Sequence, residues 1–353
     1  MQRLELGETR SHPPAQAGAE RAAPAAQPLL TVRDLSIAFR HRDGEVAITR
    51  DVSFDILPGE RVGLVGESGC GKTVTGLSLL RLLPKRSVRL RGQLLFDGQD
   101  LIRLSPRQLR AVRGRDISMI FQEPMTALDP VFTIGEQLSE TLRAHFDISR
   151  KEARERAVEA LAEVGIPAPG RRYHDYPHQF SGGMRQRVMI AMALICRPRL
   201  VIADEPTTAL DVTVQAQIID LLCRLSEETG TALLFITHDL GVVAETCSRM
   251  LTMYAGEVVE DAPTDAVLRK PKHPYTSDLL RSLPSLSPRG APLPSIPGRV
   301  PAPDQMPSGC RFYDRCAYAM AACKGAQPMQ AVAPGRLVRC WRAHQLDLPG
   351  AVN

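Results

Sequence analysis

The chain has 353 residues, a length that suits about two domains at roughly 150 residues each, with 44 % apolar and 24 % charged residues. That composition is ordinary for a globular protein and excludes wholesale disorder and collagen-like or coiled-coil fibres. The 44 Lys and Arg exceed the 39 Asp and Glu by only five, too few for a strong nucleic-acid footprint, so no nucleic-acid partner is expected.

Residues 1–28 carry scattered charges with many Ala, Pro and Gln and no apolar core, which predicts a disordered leader rather than a secretory signal. The longest apolar run, Val188–Cys196, is nine residues between Arg187 and Arg197. A membrane-spanning helix needs about twenty, so no crossing is expected, and the default compartment is the cytoplasm. Eight cysteines in a reducing compartment argue against a disulfide scaffold.

Leu30–Phe39 and Asp51–Ile56 read as strands around a turn at Asp43-Gly44, and Arg61–Val65 as a short buried strand. Lys72–Leu83 has the Leu spacing of a helix. Ile117–Phe121, Leu200–Ala203 and Leu233–Thr237 are short apolar runs suited to buried strands, and Lys151–Val164 alternates charge and apolar residues at helical spacing. Strand, helix, strand, helix in this order predicts an α/β fold with a mostly parallel sheet covered by helices. Thirteen of the 28 prolines fall from Pro271 onward, a density that regular α/β structure does not easily continue through. The domains expected are therefore a core over 29–270 and an irregular Cys- and Pro-rich unit over 271–353.

The strand–turn–helix at 61–83 contains Gly66-Glu67-Ser68-Gly69-Cys70-Gly71-Lys72-Thr73, followed by Val74, which matches G-x-x-x-x-G-K-[ST] in full and in the right context. Glycines let the backbone turn its N–H groups toward phosphate oxygens, and the helix start adds its positive end. Lys72 is expected to reach the β- and γ-phosphates and the Thr73 hydroxyl to ligate Mg²⁺. Cys70 reads as a spacer, since no His or second Cys is near it in sequence. Further on, Leu200-Val201-Ile202-Ala203 runs into Asp204-Glu205. Alone, such a pair is two solvated turn carboxylates; with the phosphate loop upstream, Asp204 is placed to hold Mg²⁺ and Glu205 to orient and deprotonate a water.

Phe180-Ser181-Gly182-Gly183-Met184-Arg185-Gln186-Arg187 puts a Ser-Gly-Gly turn at a helix start, by itself an ordinary cap but also a second anion site. Two phosphate sites on one chain suggest a composite site shared between subunits.

On these residues the chain resembles the ATP-binding cassette of a membrane transporter. Phe180–Met184 corresponds to that family's L-S-G-G-Q signature, with Phe for Leu and Met for Gln and the Ser-Gly-Gly intact. The resemblance implies that Gln122 is the glutamine-loop residue, which also reaches Mg²⁺, that His238 is the switch histidine, and that Ala209-Leu210-Asp211 is the loop across the dimer seam. Phe39 is either the aromatic that stacks on adenine or a core residue of its strand. The resemblance implies the fold of a P-loop NTPase nucleotide-binding domain: a RecA-like core, an antiparallel β subdomain and a helical subdomain over about 123–185.

His273-Pro274-Tyr275-Thr276 and Ile296-Pro297-Gly298 resemble the C-terminal extension of the ATPases of oligopeptide and dipeptide importers, so the likeness covers about 29–342. It implies an ATP-hydrolysing subunit that closes head to tail on a homologous second ATPase. Two integral membrane permease subunits and an extracytoplasmic peptide-binding protein complete the complex, and the chain is peripheral on the cytoplasmic face of the inner membrane. Nickel importers share this architecture, so the cargo stays open. Soluble cassette ATPases usually carry two cassettes in tandem or a coiled-coil insertion, and neither is seen.

Cys310, Cys316, Cys323 and Cys340 fall in one 31-residue window with spacing C-x5-C-x6-C-x16-C. That spacing lacks the C-x2-C knuckles of zinc ribbons and leaves free thiols, zinc and an iron–sulfur cluster open. The resemblance implies a structural [4Fe–4S] cluster on this quartet.

Overall fold

The computed structural model describes residues 27–41, 44–123, 127–207, 211–283 and 295–351. The leader assignment and Asp43, Ala209 and Leu210 fall almost wholly or wholly outside them.

Two sheets organise the chain. The first is antiparallel, in the order β2 (Gly44–Ile56), β1 (Leu30–His41), β4 (Val88–Phe96) and β5 (Gln99–Asp100). In β1 the buried positions Leu30 and Val32 change phase to Leu35 and Ile37. A bulge between Val32 and Leu35 absorbs the change, with Asp34 at a left-handed φ of 50°, so both pairs still face the core. The strand expected from Asp51 is the far end of the longer β2.

The second sheet runs β11 (Gln330–Ala333), β12 (Arg336–Val338), β10 (Glu257–Pro263), β9 (Arg249–Tyr254), β3 (Arg61–Val65), β8 (Ala232–Ile236), β7 (Leu200–Asp204) and β6 (Ile117–Ile120). The block from β9 to β6 is parallel. Strands β6, β7 and β8 are buried along their whole length, as their unbroken apolar runs require for a sheet covered on both faces. Beyond β9 the sheet turns antiparallel. Strands β11 and β12 thus extend it from within the proline-rich segment. They fit there because Pro334 and Gly335, the latter at φ 65°, occupy the turn between them rather than a strand interior.

Helix α1 (Lys72–Leu79) follows β3 and packs on β7 and β8. It stops four residues short of the expected Leu83, where Arg81 takes a left-handed φ of 50°. Helix α2 is Pro106–Val112, and after β6 come α3 (Ile134–His145), α4 (Arg150–Glu163) and α5 (Gly182–Leu194), which pack on one another. Their starts are written in the sequence. Thr133 and Glu136 form a capping box on α3, and Ser149 caps α4. Helix α6 (Val212–Thr229) is capped by Asp211 and closed by left-handed Gly230. Helix α7 (Leu240–Thr246) follows β8, and α8 (Pro274–Arg281) opens the C-terminal segment.

Apolar cores fill both faces of the main sheet. A smaller aromatic core of Tyr254, Tyr275 and Phe312 lies between the sheet and the C-terminal segment.

Candidate functional site

The phosphate loop joins β3 to α1 and is closed in from behind. A Cβ on Gly66 would lie 2.1 Å from the carbonyl oxygen of Met253, so only glycine fits where the loop leaves the strand. Gly71 sits at φ 104° and caps α1 without any side-chain acceptor, and the first turn of α1 holds no acidic residue. The helix therefore begins with nothing of its own to satisfy its leading N–H groups, the arrangement a phosphate completes. The Lys72 ammonium, buried, donates to the carbonyl oxygens of Gly66 at 2.8 Å and Glu67 at 3.1 Å. Ser68 and Gly69 are exposed at the tip, while Cys70 is buried. Burial raises the Cys70 thiol pKa, which keeps it protonated and unreactive.

The Thr73 hydroxyl donates to Asp204 Oδ1 at 3.1 Å. Asp204 ends β7 and is 2 % exposed. Burial pushes its pKa up to about 6, opposed by the Thr73 bond and assisted by the neighbouring Glu205 charge. A hydroxyl and a buried, desolvated carboxylate side by side at the loop form an oxygen donor pair that fits Mg²⁺ chemistry.

Glu205 is left-handed at φ 46°, and its N–H donates to the carbonyl of Ile236 at 2.8 Å. This turns its carboxylate across the ends of the neighbouring strands. Gln122 Nε2 donates to Glu205 Oε2 at 2.9 Å, and His238 Nδ1 lies 3.2 Å from Oε1. So Gln122, Glu205 and His238, each just past a parallel strand, are brought together.

The remaining expected residues lie elsewhere. Ser181 is exposed and caps α5, accepting from Met184 N–H at 3.4 Å, with Gly182 exposed and Gly183 half-buried behind it. Among the described residues no hydrogen bond or ion pair joins Ser181, Gly182 or Gly183 to the phosphate loop. Asp211 caps α6, accepting from Val214 N–H at 2.9 Å. Phe39 is half-buried near the end of β1 against the apolar core.

Cys310, Cys316, Cys323 and Cys340 line one cavity together with His273 and Phe312. Burial pushes the Cys310 thiol up to about 12 and Cys316 up to about 11, and the neighbouring cysteines add to both. Among the described residues, however, no group of three or more His, Cys, Asp or Glu is placed to hold a metal ion. The four thiols line one common void.

Sequence reasoning gave no role to two residues that reach the phosphate loop. Tyr275 Oη accepts from Glu67 N–H at 2.8 Å, and the Arg315 guanidinium meets the Glu67 carboxylate in a fork at 2.8 and 3.0 Å. Tyr275 stands in a readable Pro-Tyr turn, but Arg315 lies 248 positions from Glu67, and no local pattern marks it.

Residues 49–208 match the family described as "ABC transporter", and residues 259–323 match "Oligopeptide/dipeptide transporter, C-terminal region". The chain is 51 % identical over 329 residues to the "Probable peptide ABC transporter ATP-binding protein" of Sinorhizobium fredii, covering 92 % of this chain and 97 % of that one. Among solved structures it resembles a dimeric ATP-binding cassette in a post-hydrolysis state bound to ADP and Pi, with TM-score 0.60, 28 % identity, and 67 % and 98 % of the two chains covered. It also resembles a part of an ABC transporter complex from Clostridium perfringens, with TM-score 0.58, 26 % identity, and 68 % and 90 % covered. No helix among the described residues is long and apolar enough to cross a membrane.

Proposed function

This chain belongs to the ATP-binding proteins of ABC transporters, and from that membership we propose that it hydrolyses ATP to drive import of oligopeptides or dipeptides. The observation that carries the chemistry is the Glu205 carboxylate, held between Gln122 and His238 beside the Thr73–Asp204 pair.

In this reading Gly66–Thr73 cradle the phosphates with backbone N–H groups, and the Lys72 ammonium exchanges its two loop carbonyls for phosphate oxygens. Bound between Thr73 and Asp204, with Gln122 close by, Mg²⁺ would neutralise charge on the β- and γ-phosphates. Glu205 orients the attacking water and accepts its proton, and His238 contacts the γ-phosphate side of the site. Phe39 is the candidate adenine contact. Ser181, Gly182 and Gly183 at the start of α5, the first two exposed, serve the partner's ATP rather than this chain's, with Asp211 at the seam. The exposure of Ser181 and Gly182, with no bond to this chain's own phosphate loop among the described residues, supports a head-to-tail pair with a second ATPase subunit. The reading extends to two membrane permease subunits, an extracytoplasmic binding protein, and a peripheral position on the cytoplasmic face of the inner membrane. Residues 29–270 act as the cassette, with a helical subdomain over about 123–185, and 271–353 as its extension.

The peptide cargo is supported by the match of residues 259–323 and by the named relative. Uptake of a labelled short peptide in cells lacking this chain, with and without competing nickel, tests it. Restoration by wild type and not by Glu205→Gln supports both parts. Restoration of nickel uptake alone reassigns the cargo. For the cysteine quartet, the shared cavity supports a [4Fe–4S] cluster as ligand set Cys310, Cys316, Cys323 and Cys340. Iron with acid-labile sulfide in anaerobically purified protein is the expected result, and equimolar zinc without iron overturns it.

A further inference from the structure

Glu67 is the first residue of the phosphate loop after Gly66, and its main chain and side chain are both engaged by the C-terminal segment. Its N–H donates to Tyr275 Oη at 2.8 Å. Its carboxylate takes both Nη1 and Nη2 of Arg315, a paired geometry that fixes orientation as well as charge. Its carbonyl oxygen receives the Lys72 ammonium at 3.1 Å.

Arg315 is built for this contact. Its side chain is 6 % exposed. Nε donates to the carbonyl of Pro297 at 2.7 Å, and Nη1 also reaches Tyr254 Oη at 3.3 Å. The guanidinium lies over the rings of Tyr254 at 5.6 Å and Phe312 at 5.8 Å. Tyr275 is fully buried, its ring 4.6 Å from that of Tyr254 and 5.4 Å from that of Phe312. Neither side chain can leave Glu67 without disturbing this aromatic core.

We propose that Arg315 and Tyr275 are positioning residues through which the C-terminal extension sets the affinity of the phosphate loop for ATP. Two physical effects combine. A carboxylate in a loop that must receive a polyphosphate repels it, and Arg315 cancels that charge at contact distance. Tyr275 and Arg315 together hold Glu67, and Glu67 holds Lys72, so the cradle is shaped before nucleotide arrives. The extension is then part of the nucleotide site, not an appendage to it. This inference rests on the reading that Gly66–Thr73 bind ATP.

The test is equilibrium binding of a fluorescent ATP analogue to the full-length chain, with thermal melting of each variant alongside. Wild type should bind saturably and Lys72→Ala should not; failure there overturns the ATP reading itself. Given that binding, Arg315→Ala should raise Kd about tenfold. Adding Glu67→Gln to Arg315→Ala should bring Kd back to within about threefold of wild type, because the uncancelled charge is gone. A purely structural role for Arg315 predicts no such recovery, so a double variant as weak as the single one overturns the proposal. Tyr275→Phe keeps the ring and removes the acceptor, and should raise Kd several-fold at near-wild-type melting temperature. If Arg315→Ala does not fold, Tyr275→Phe and Arg315→Lys decide: unchanged Kd in both overturns the proposal, and raised Kd in both supports it.

Discussion

The Nδ1 of His238 lies 3.2 Å from Oε1 of Glu205, while Oε2 of the same carboxylate accepts from Gln122. The three meet because β6, β7 and β8 are adjacent, parallel and in step, with Ile120 opposite Ala203 and Asp204 opposite Ile236. Residues just beyond the carboxyl ends of neighbouring parallel strands share one crevice, where ligands bind in open α/β sheets. Glu205→Gln keeps the side chain's shape and one acceptor oxygen, turns the other into an amide donor, and removes the base. ATP binding should persist while kcat falls about 10²–10³-fold, as removal of one transition-state contact does. Single-turnover hydrolysis in the assembled complex measures this, and near-wild-type turnover refutes the role.

His238 shares that carboxylate, so its removal should not add to the loss of Glu205. His238→Ala should lower kcat about 10–100-fold. The double variant with Glu205→Gln should be no slower than Glu205→Gln alone, since residues joined in one contact act as a unit. Multiplicative losses in steady-state kinetics would mean that the two work on separate steps.

How much of this was legible follows from distance along the chain. Lys72–Thr73 and Asp204-Glu205 are readable because strand, loop and helix are contiguous there and the spacing itself is the chemistry. Gln122 and His238 came from a resemblance, because the register of three strands that aligns them with Glu205 is not written in any local pattern. Strands β11 and β12 were missed for a related reason. Proline counting treats a segment as uniform, yet Pro334 sits in the turn and leaves Arg336–Val338 to pair with β10. Arg315 was invisible because its partner is 248 positions away. Asp211 carries two meanings at once: its place at the start of α6 makes it a helix cap whatever it does at a seam.

Gly66 tests the cradle itself. A Cβ there would sit 2.1 Å from the Met253 carbonyl oxygen and 2.9 Å from Cys70 Sγ, and the first of these is backbone that cannot rotate away. Gly66→Ala should displace the loop from β9, abolish nucleotide binding and destabilise the fold by about 1–3 kcal/mol. Far-UV circular dichroism should stay near wild type. Retained binding of the fluorescent ATP analogue would show that the loop tolerates a side chain at this point.

His273 gives a pH dependence whose sign is fixed by its surroundings. It is 1 % exposed, and Nδ1 accepts from Tyr275 N–H at 3.1 Å at the start of α8. Burial lowers its pKa from 6.5 to about 3, helped by the Arg339 charge. Above pH 6.5 the ring is neutral both folded and unfolded, and it contributes no pH dependence. Between about 6.5 and 3 the unfolded chain takes up a proton that the folded one refuses, so stability falls with falling pH. The slope approaches about 1.4 kcal/mol per pH unit for one proton. His273→Asn keeps a cap acceptor for α8 without the titrating ring. Melting curves of the two proteins from pH 7.5 to 5 should diverge as pH falls, with the wild type losing more. Parallel curves would mean that His273 takes its proton in the folded state.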